Sequence, residues 1–387
     1  MSTDSRNAAV LRTTLLTPRG RGAVAVVRVW GPGATATVER MFASASGRKL
    51  TTFPIDRIVF GHWHGGATDE VHAGEELVVC RRAADDIEIH CHGGVASSTA
   101  IFAALETAGA ECIPWTESTA ERATDRIRSE AEAALAEART SQTAGILLDQ
   151  LAGALSRAVH ETISALDRAD VAAARRQLTD LLSRTSLGRH LTTPFQVVLA
   201  GRPNVGKSSL INVLVGYERS IVFDKPGTTR DVVSAATVFD GWPIELSDTA
   251  GLRDSADLLE RAGMNAARLR LLAADLVVLT FDATETWTDD DDVLLAENPT
   301  AVVVYNKIDR TSGKLADRPA GLAISAATGR GIEELIDVIA ARLVPNSPQE
   351  GDAVPFTQRQ IELLNRAAAD LALERNDEAK LALSRLL

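Results

Sequence analysis

The segment Gly201-Arg202-Pro203-Asn204-Val205-Gly206-Lys207-Ser208-Ser209-Leu210 follows an apolar run and opens a helical pattern. Glycines at Gly201 and Gly206 let backbone N–H groups curl around phosphate oxygens, with Val205 and Ser209 completing the loop. The ammonium of Lys207 is placed to neutralise β- and γ-phosphates, and the Ser208 hydroxyl can ligate Mg²⁺. Three further motifs follow in order: Asp248-Thr249-Ala250-Gly251, Asn306-Lys307-Ile308-Asp309 and Ser325-Ala326-Ala327. The Asp309 carboxylate can accept from the N1–H and the exocyclic amine of guanine, a donor pair that adenine lacks, while Asn306 and the amide of Ala326 address the other base atoms. A wrong base leaves that carboxylate unpaired, so the discrimination is large. Asp248 is placed to hold the water shell of Mg²⁺, and Gly251 to sense the γ-phosphate. The chemistry expected is binding of GTP and GDP and hydrolysis of GTP.

Between the first two motifs lies Asp224-Lys225-Pro226-Gly227-Thr228-Thr229-Arg230-Asp231. Its Gly-Thr-Thr-Arg-Asp core resembles the first switch of the tRNA modification GTPase family MnmE, also called TrmE, within the translation-factor class of P-loop GTPases. The resemblance makes Thr229 a Mg²⁺ ligand. Position 252 is leucine where Ras-like enzymes place a water-orienting glutamine, and an alkyl group cannot orient water. In the family, a glutamate of the second switch followed by arginine is thought to act through a water, which implies Glu260, before Arg261, as the catalytic group. Without that match, Glu260 reads as an exposed helix carboxylate. Asn204 matches the asparagine that holds K⁺ in this family, a cation that takes the place of an arginine finger.

These motifs need elements to carry them, and the pattern along the chain divides it. At 387 residues the chain is too long for one core. From Arg12 to about Trp115, short apolar runs such as Val24–Val29 and Leu77–Cys80 alternate with Gly-rich turns, with one helical stretch near Ala100–Thr107, as in a mixed α/β domain. Beyond Thr116 proline vanishes, and Leu148, Leu151, Leu155, Val159, Ile163 and Leu166 recur at helical spacing. Thr193-Pro194 ends this stretch, and Phe195–Ala200 reads as the strand before the phosphate loop. Pro345, Pro348, Gly351 and Pro355 mark a linker, after which an Ala/Leu-rich helical pattern resumes. The expected organisation is an α/β multidomain chain with three parts. An N-terminal domain spans 1–116, a helical middle domain spans 117–192 and is completed by 356–387, and an inserted Ras-like GTPase domain spans 193–344. Asp289–Asp292 reads as a solvated loop.

A net charge of -11 opposes indiscriminate nucleic-acid binding, so any RNA contact must be local. Three cysteines, Cys80, Cys91 and Cys112, and no apolar stretch of membrane-spanning length point to a cytoplasmic protein with no membrane association.

The resemblance extends to the N-terminal domain through Thr17-Pro18-Arg19-Gly20-Arg21-Gly22-Ala23-Val24, Arg28-Val29-Trp30-Gly31-Pro32 and Glu88-Ile89-His90-Cys91-His92-Gly93-Gly94. It implies a folate-binding-like domain that takes 5-formyltetrahydrofolate and forms a homodimer, and an FAD-containing MnmG-type partner with tRNA as substrate. His90-Cys91-His92 has the ligand types of a zinc site, but strand alternation sends Cys91 to the opposite face. A close approach of another backbone or a ligand at Gly93-Gly94 is the expectation instead. The chain also departs from the family. Arg82-Ala83-Ala84-Asp85 stands where Thr-Gly-Glu-Asp is usual, Pro114-Trp115-Thr116-Glu117 replaces Pro-Gly-Glu-Phe, and Ser384-Arg385-Leu386-Leu387 stands at the end, where the family has Cys-x-Gly-Lys. A diverged regulatory switch without tRNA-modifying activity is the competing reading.

Overall fold

Alternation of apolar and polar residues turns the first third of the chain into a sheet. The strands are β1 (Arg12–Leu15), β2 (Val24–Trp30), β3 (Phe42–Ser44), β4 (Ile58–Trp63), β5 (Glu75–Ala83), β6 (Asp86–His92) and β7 (Glu111–Cys112), in the spatial order β3-β4-β5-β6-β2-β1-β7. All neighbours are antiparallel except β1 and β7. The computed structural model describes residues 10–18, 20, 22–65, 74–122, 125–217, 234–248, 271, 273–311 and 318–387. They belong to two compact units, Met1–Thr124 and Asp125–Leu387.

In the first unit Val27, Val29, Val79, Ile87 and Ile89 are sealed against Ile101 and Leu105 of helix α2 (Val95–Thr107). Helix α1 (Ala34–Glu39) has no side-chain cap of its own. Asp85, in the β5–β6 turn, supplies one from across the sheet, accepting from the N–H groups of Gly33 (3.2 Å) and Thr35 (3.1 Å). Helix α3 (Trp115–Arg122) packs within this compact unit: Ser118 bonds the buried Arg28, itself in a bidentate pair with Asp86.

Cys91 is buried on the inner face, and burial pushes its thiol up to about 11. His90 and His92 lie on the other face, where they meet Glu88 and Glu75. Among the described residues no cluster of His, Cys, Asp and Glu could hold a metal ion. Gly93 is where another backbone passes: it exchanges hydrogen bonds with Gly22 and Ala23, and a Cβ there would lie 2.1 Å from the Gly22 carbonyl oxygen.

The second unit begins with helices α4 (Arg126–Leu135), α5 (Ser141–Leu151), α6 (Ala154–Asp167), α7 (Val171–Ser183) and the short α8 (Thr185–Gly188). The apolar ladder read from Leu148 to Leu166 is broken between α5 and α6. Gly153 adopts φ 93°, and Leu148 turns out to solvent at 50% exposure, while Leu155 and Val159 stay in the core. The C-terminal pattern is two helices, separated where Glu374 adopts φ 59°. They are named below as α12 (Gln358–Ala372) and α13 (Asn376–Ser384); α12 packs on α7 and α13 on α6. The preceding linker is held through Gln150, whose amide bonds the Asp352 carbonyl and the Val354 N–H.

Between these helices run β8 (Phe195–Ala200), α9 (Lys207–Val215), β9 (Ser234–Phe239), β10 (Trp242–Asp248), β11 (Leu276–Asp282), α10 (Asp289–Glu297), β12 (Val302–Asn306), β13 (Leu322–Ala323) and α11 (Ile332–Leu343). The sheet order is β13-β12-β11-β8-β10-β9, parallel except at β9. The near-continuous apolar runs of β8, β11 and β12 reflect burial on both faces. Asp289–Asp292, expected to be a loop, is the first turn of α10. Thr288 and Asp291 form a capping box there, and carboxylates are favoured at a helix N-terminus. Among the described residues no helix is long and apolar enough to cross a membrane.

Candidate nucleotide-binding site

Four parallel strands end side by side, and each delivers a polar group or a turn at its C-terminal end, where open α/β sheets take their ligands: Gly201 after β8, Asp248 on β10, Asp282 on β11 and Asn306 on β12. After β8 the chain bends at Gly201 (φ 143°), where a Cβ would lie 2.2 Å from the Thr280 carbonyl oxygen. It passes through Asn204 (φ 64°) and Gly206 (φ 97°) into α9. The N–H groups of the first turn of α9, including Ser208 and Ser209, have no intrahelical acceptor and form an anion-binding terminus.

Lys207 is 4% exposed, and its ammonium donates to the carbonyls of Gly201 (3.1 Å) and Arg202 (2.9 Å), which stretches it across the mouth of the loop. The Ser208 hydroxyl donates to Asp248 Oδ2 at 2.7 Å. A hydroxyl and a carboxylate so close, beside a phosphate-binding loop, are oxygen donors that fit Mg²⁺, the serine directly and the aspartate through its water shell. Thr229, Gly251 and Glu260 lie outside the described residues.

The half of the candidate site expected to read the base is a network tied to the phosphate loop. Asn306 is buried: its amide N–H donates to the Val205 carbonyl (3.0 Å), and its Oδ1 accepts from the N–H groups of Lys307 (2.8 Å) and Ala326 (3.0 Å). Lys307 adopts φ 66° and sends its ammonium to the Asn204 carbonyl (2.7 Å) and to Asp282 Oδ2 (2.6 Å). Burial alone would raise the Asp282 carboxyl, but the Lys307 ammonium and the two donors of Thr284 outweigh it and hold it below its ordinary value. Asp309 sits in the 3₁₀ turn Ile308–Arg310. One of its oxygens accepts from the buried Ser325 hydroxyl at 2.5 Å, which orients the carboxylate. A Cβ on Gly206 would lie 2.4 Å from the Asn306 amide nitrogen, so phosphate loop and base loop fit only with glycine there.

Comparison with known proteins agrees with this geometry. Residues 196–307 match the family described as 50S ribosome-binding GTPase, and residues 13–117 match GTP-binding protein TrmE N-terminus. The tRNA modification GTPase MnmE of Synechococcus sp. is 33% identical over 421 residues, covering 98% of this chain and 90% of that protein. Those of Prochlorococcus marinus (34%; 93% and 86% covered) and Geobacillus thermodenitrificans (33%; 91% and 86% covered) are similar. The chain belongs to the MnmE family. It is a GTPase that binds and hydrolyses GTP.

Asn204, Val205, Gly206, Lys207, Ser208, Asn306, Lys307, Asp309, Ser325 and Ala326 of this MnmE family member are brought together in one connected site, with Asp248 at its edge. Two contributors escaped the sequence reading. Asp282, which orients Lys307, is paired in register with Asn306 across β11 and β12; the signal was a lone carboxylate ending an apolar run, Leu276–Phe281. Arg318 donates to the carbonyls of Asp282 (3.0 Å) and Ala283 (3.2 Å) and stacks on Tyr305, and nothing in its local sequence marks it.

Proposed function

We propose that this protein acts in C5 modification of the wobble uridine of certain tRNAs, together with an FAD-containing MnmG-type protein and a folate one-carbon unit. The observation that carries this reading is that likeness to MnmE runs through both compact units, not the GTPase part alone. GTP hydrolysis then serves to open and close the GTPase domains of a homodimer rather than to make the carbon bond.

For the folate, the first unit offers a cavity of about 320 Å³ where α2 meets the turns around residues 18–24 and 93–94, within the range of small-molecule sites. Leu15, Ala25 and Phe102 line it with apolar surface, while Ser98, Thr99 and Glu106 supply hydrogen-bonding groups. A flat heterocycle with polar edges suits that lining. The competing reading, a GTPase switch whose first unit only docks or dimerises, draws on Arg82-Ala83-Ala84 in place of the usual residues. The remaining residue of that stretch, Asp85, is engaged in capping α1. Calorimetric titration of the full chain with 5-formyltetrahydrofolate tests the two: saturable binding is expected, and no heat at millimolar ligand leaves the switch reading.

For hydrolysis, Glu260 acts through a water, Thr229 joins Ser208 on Mg²⁺, and Asn204 holds K⁺, whose charge faces the negative charge developing on the phosphates. The exposed turn at Asn204, with φ 64°, leaves its side chain clear of the loop core and supports that role. Turnover measured in KCl and NaCl is expected to be faster in K⁺, and Glu260→Ala is expected to bind GTP but turn over roughly a hundredfold slower. Equal rates in both salts remove the K⁺ site; an unchanged Glu260→Ala clears that residue.

A further inference from the structure

The acidic start of α10 reaches back to the phosphate loop. Asp291 is 5% exposed and uses both oxygens: Oδ2 accepts from the Thr288 N–H and hydroxyl, each at 3.0 Å, and Oδ1 forms an ion pair with Arg202, 3.1 Å from its Nε. The other end of the same guanidinium bonds the Thr288 hydroxyl and lies 3.6 Å from the exposed Asp290. Arg202 is the second residue of the phosphate loop, and its own carbonyl accepts from the Lys207 ammonium. A chain of contacts thus runs from the cap of α10 through the Arg202 side chain to the Arg202 main chain, and from there to the lysine that meets the phosphates. The opposite side of the loop is already fixed, by Lys307 on the Asn204 carbonyl and Asn306 on the Val205 carbonyl. The base loop thus holds the Asn204–Val205 side of the loop, and the start of α10, through Asp291 and Thr288, holds the Arg202 side.

We propose that Asp291 is a positioning residue for nucleotide binding, which sets the phosphate loop, and with it Lys207, through Arg202. Its charge matters more than its shape: the Asp291→Asn side chain has one oxygen for two jobs, and if that oxygen stays on Thr288, the amide N–H₂ faces the guanidinium, donor against donor. The role concerns GTP binding itself and stands whether or not the protein acts on tRNA.

The test is a double-mutant cycle on the full chain, reading Kd for GTP and GDP, kcat, and thermal melting in parallel. Asp291→Asn is expected to raise the Kd for both nucleotides about tenfold, equivalent to ~1.4 kcal/mol, with kcat at saturating GTP changed less than about threefold. Arg202→Ala, at a partly exposed side chain, is expected to lose as much, and the double variant no more than either alone. Asp289→Asn removes a charge from the same turn without touching Arg202 and is expected to bind as the unmodified chain does. A melting point that falls with unchanged Kd in Asp291→Asn, or losses that add in the double variant, overturns the proposal.

Discussion

At the scale of the residue, the proposed base choice rests on Asp309, whose carboxylate is steered by Ser325 and whose neighbours Asn306 and Lys307 are locked to the phosphate loop. Replacing it by Asn exchanges one acceptor for a donor. Xanthine carries a carbonyl where guanine has its amine, so Asp309→Asn is expected to weaken GTP at least about a hundredfold and to favour XTP. Competition binding of the two triphosphates measures this, and an unchanged preference for GTP contradicts the base-recognition geometry. Asn306, Lys307 and Asp309 were legible in the sequence because they act at a fixed spacing within one short motif. Asp282 and Asp291 were not, because their partners, Lys307 and Arg202, meet them only once parallel strands are in register and α10 has folded back.

At the scale of the element, boundaries written in backbone chemistry were readable and those written in tertiary contact were not. The strand Phe195–Ala200 and the helix that starts at Lys207 follow from an apolar run, a glycine and an amphipathic pattern. The break after Leu151 and the αL turn at Glu374 were invisible because periodicity alone runs through both. The run Asp289–Asp292 looked like a solvated loop by charge, yet charge is what a helix start favours, and Arg202 supplies the countercharge. Gly93 is the clearest case of a local sign with a tertiary cause. Its neighbours are main-chain atoms of Gly22, which cannot rotate away, so Gly93→Ala is expected to destabilise the first unit by about 1–3 kcal/mol. GTP affinity is expected to stay unchanged. Thermal unfolding of the full chain together with a GTP titration checks both, and an unaltered melting curve contradicts the close approach.

At the scale of the whole molecule, a GTPase site and a unit of TrmE type share one chain, with helices before and after the GTPase sheet packed against each other. The core of the second unit is continuous from Leu155 and Leu364 in those helices to Val197 and Leu246 in the sheet. Residues of the helices also touch the GTPase sheet directly: a Cβ on Gly241, in the β9–β10 turn, would meet the Gln142 side chain of α5. Packed contacts thus join the helices and the GTPase sheet in one core, the physical link that the proposed use of hydrolysis would need. The direct test of the proposed tRNA role is mass spectrometry of wobble uridines in tRNA from cells with and without this gene, in a host that has no second MnmE-like protein. Loss of the C5 modification on deletion is the predicted result; an unchanged modification profile would contradict the tRNA role and leave a working GTPase with a different effector.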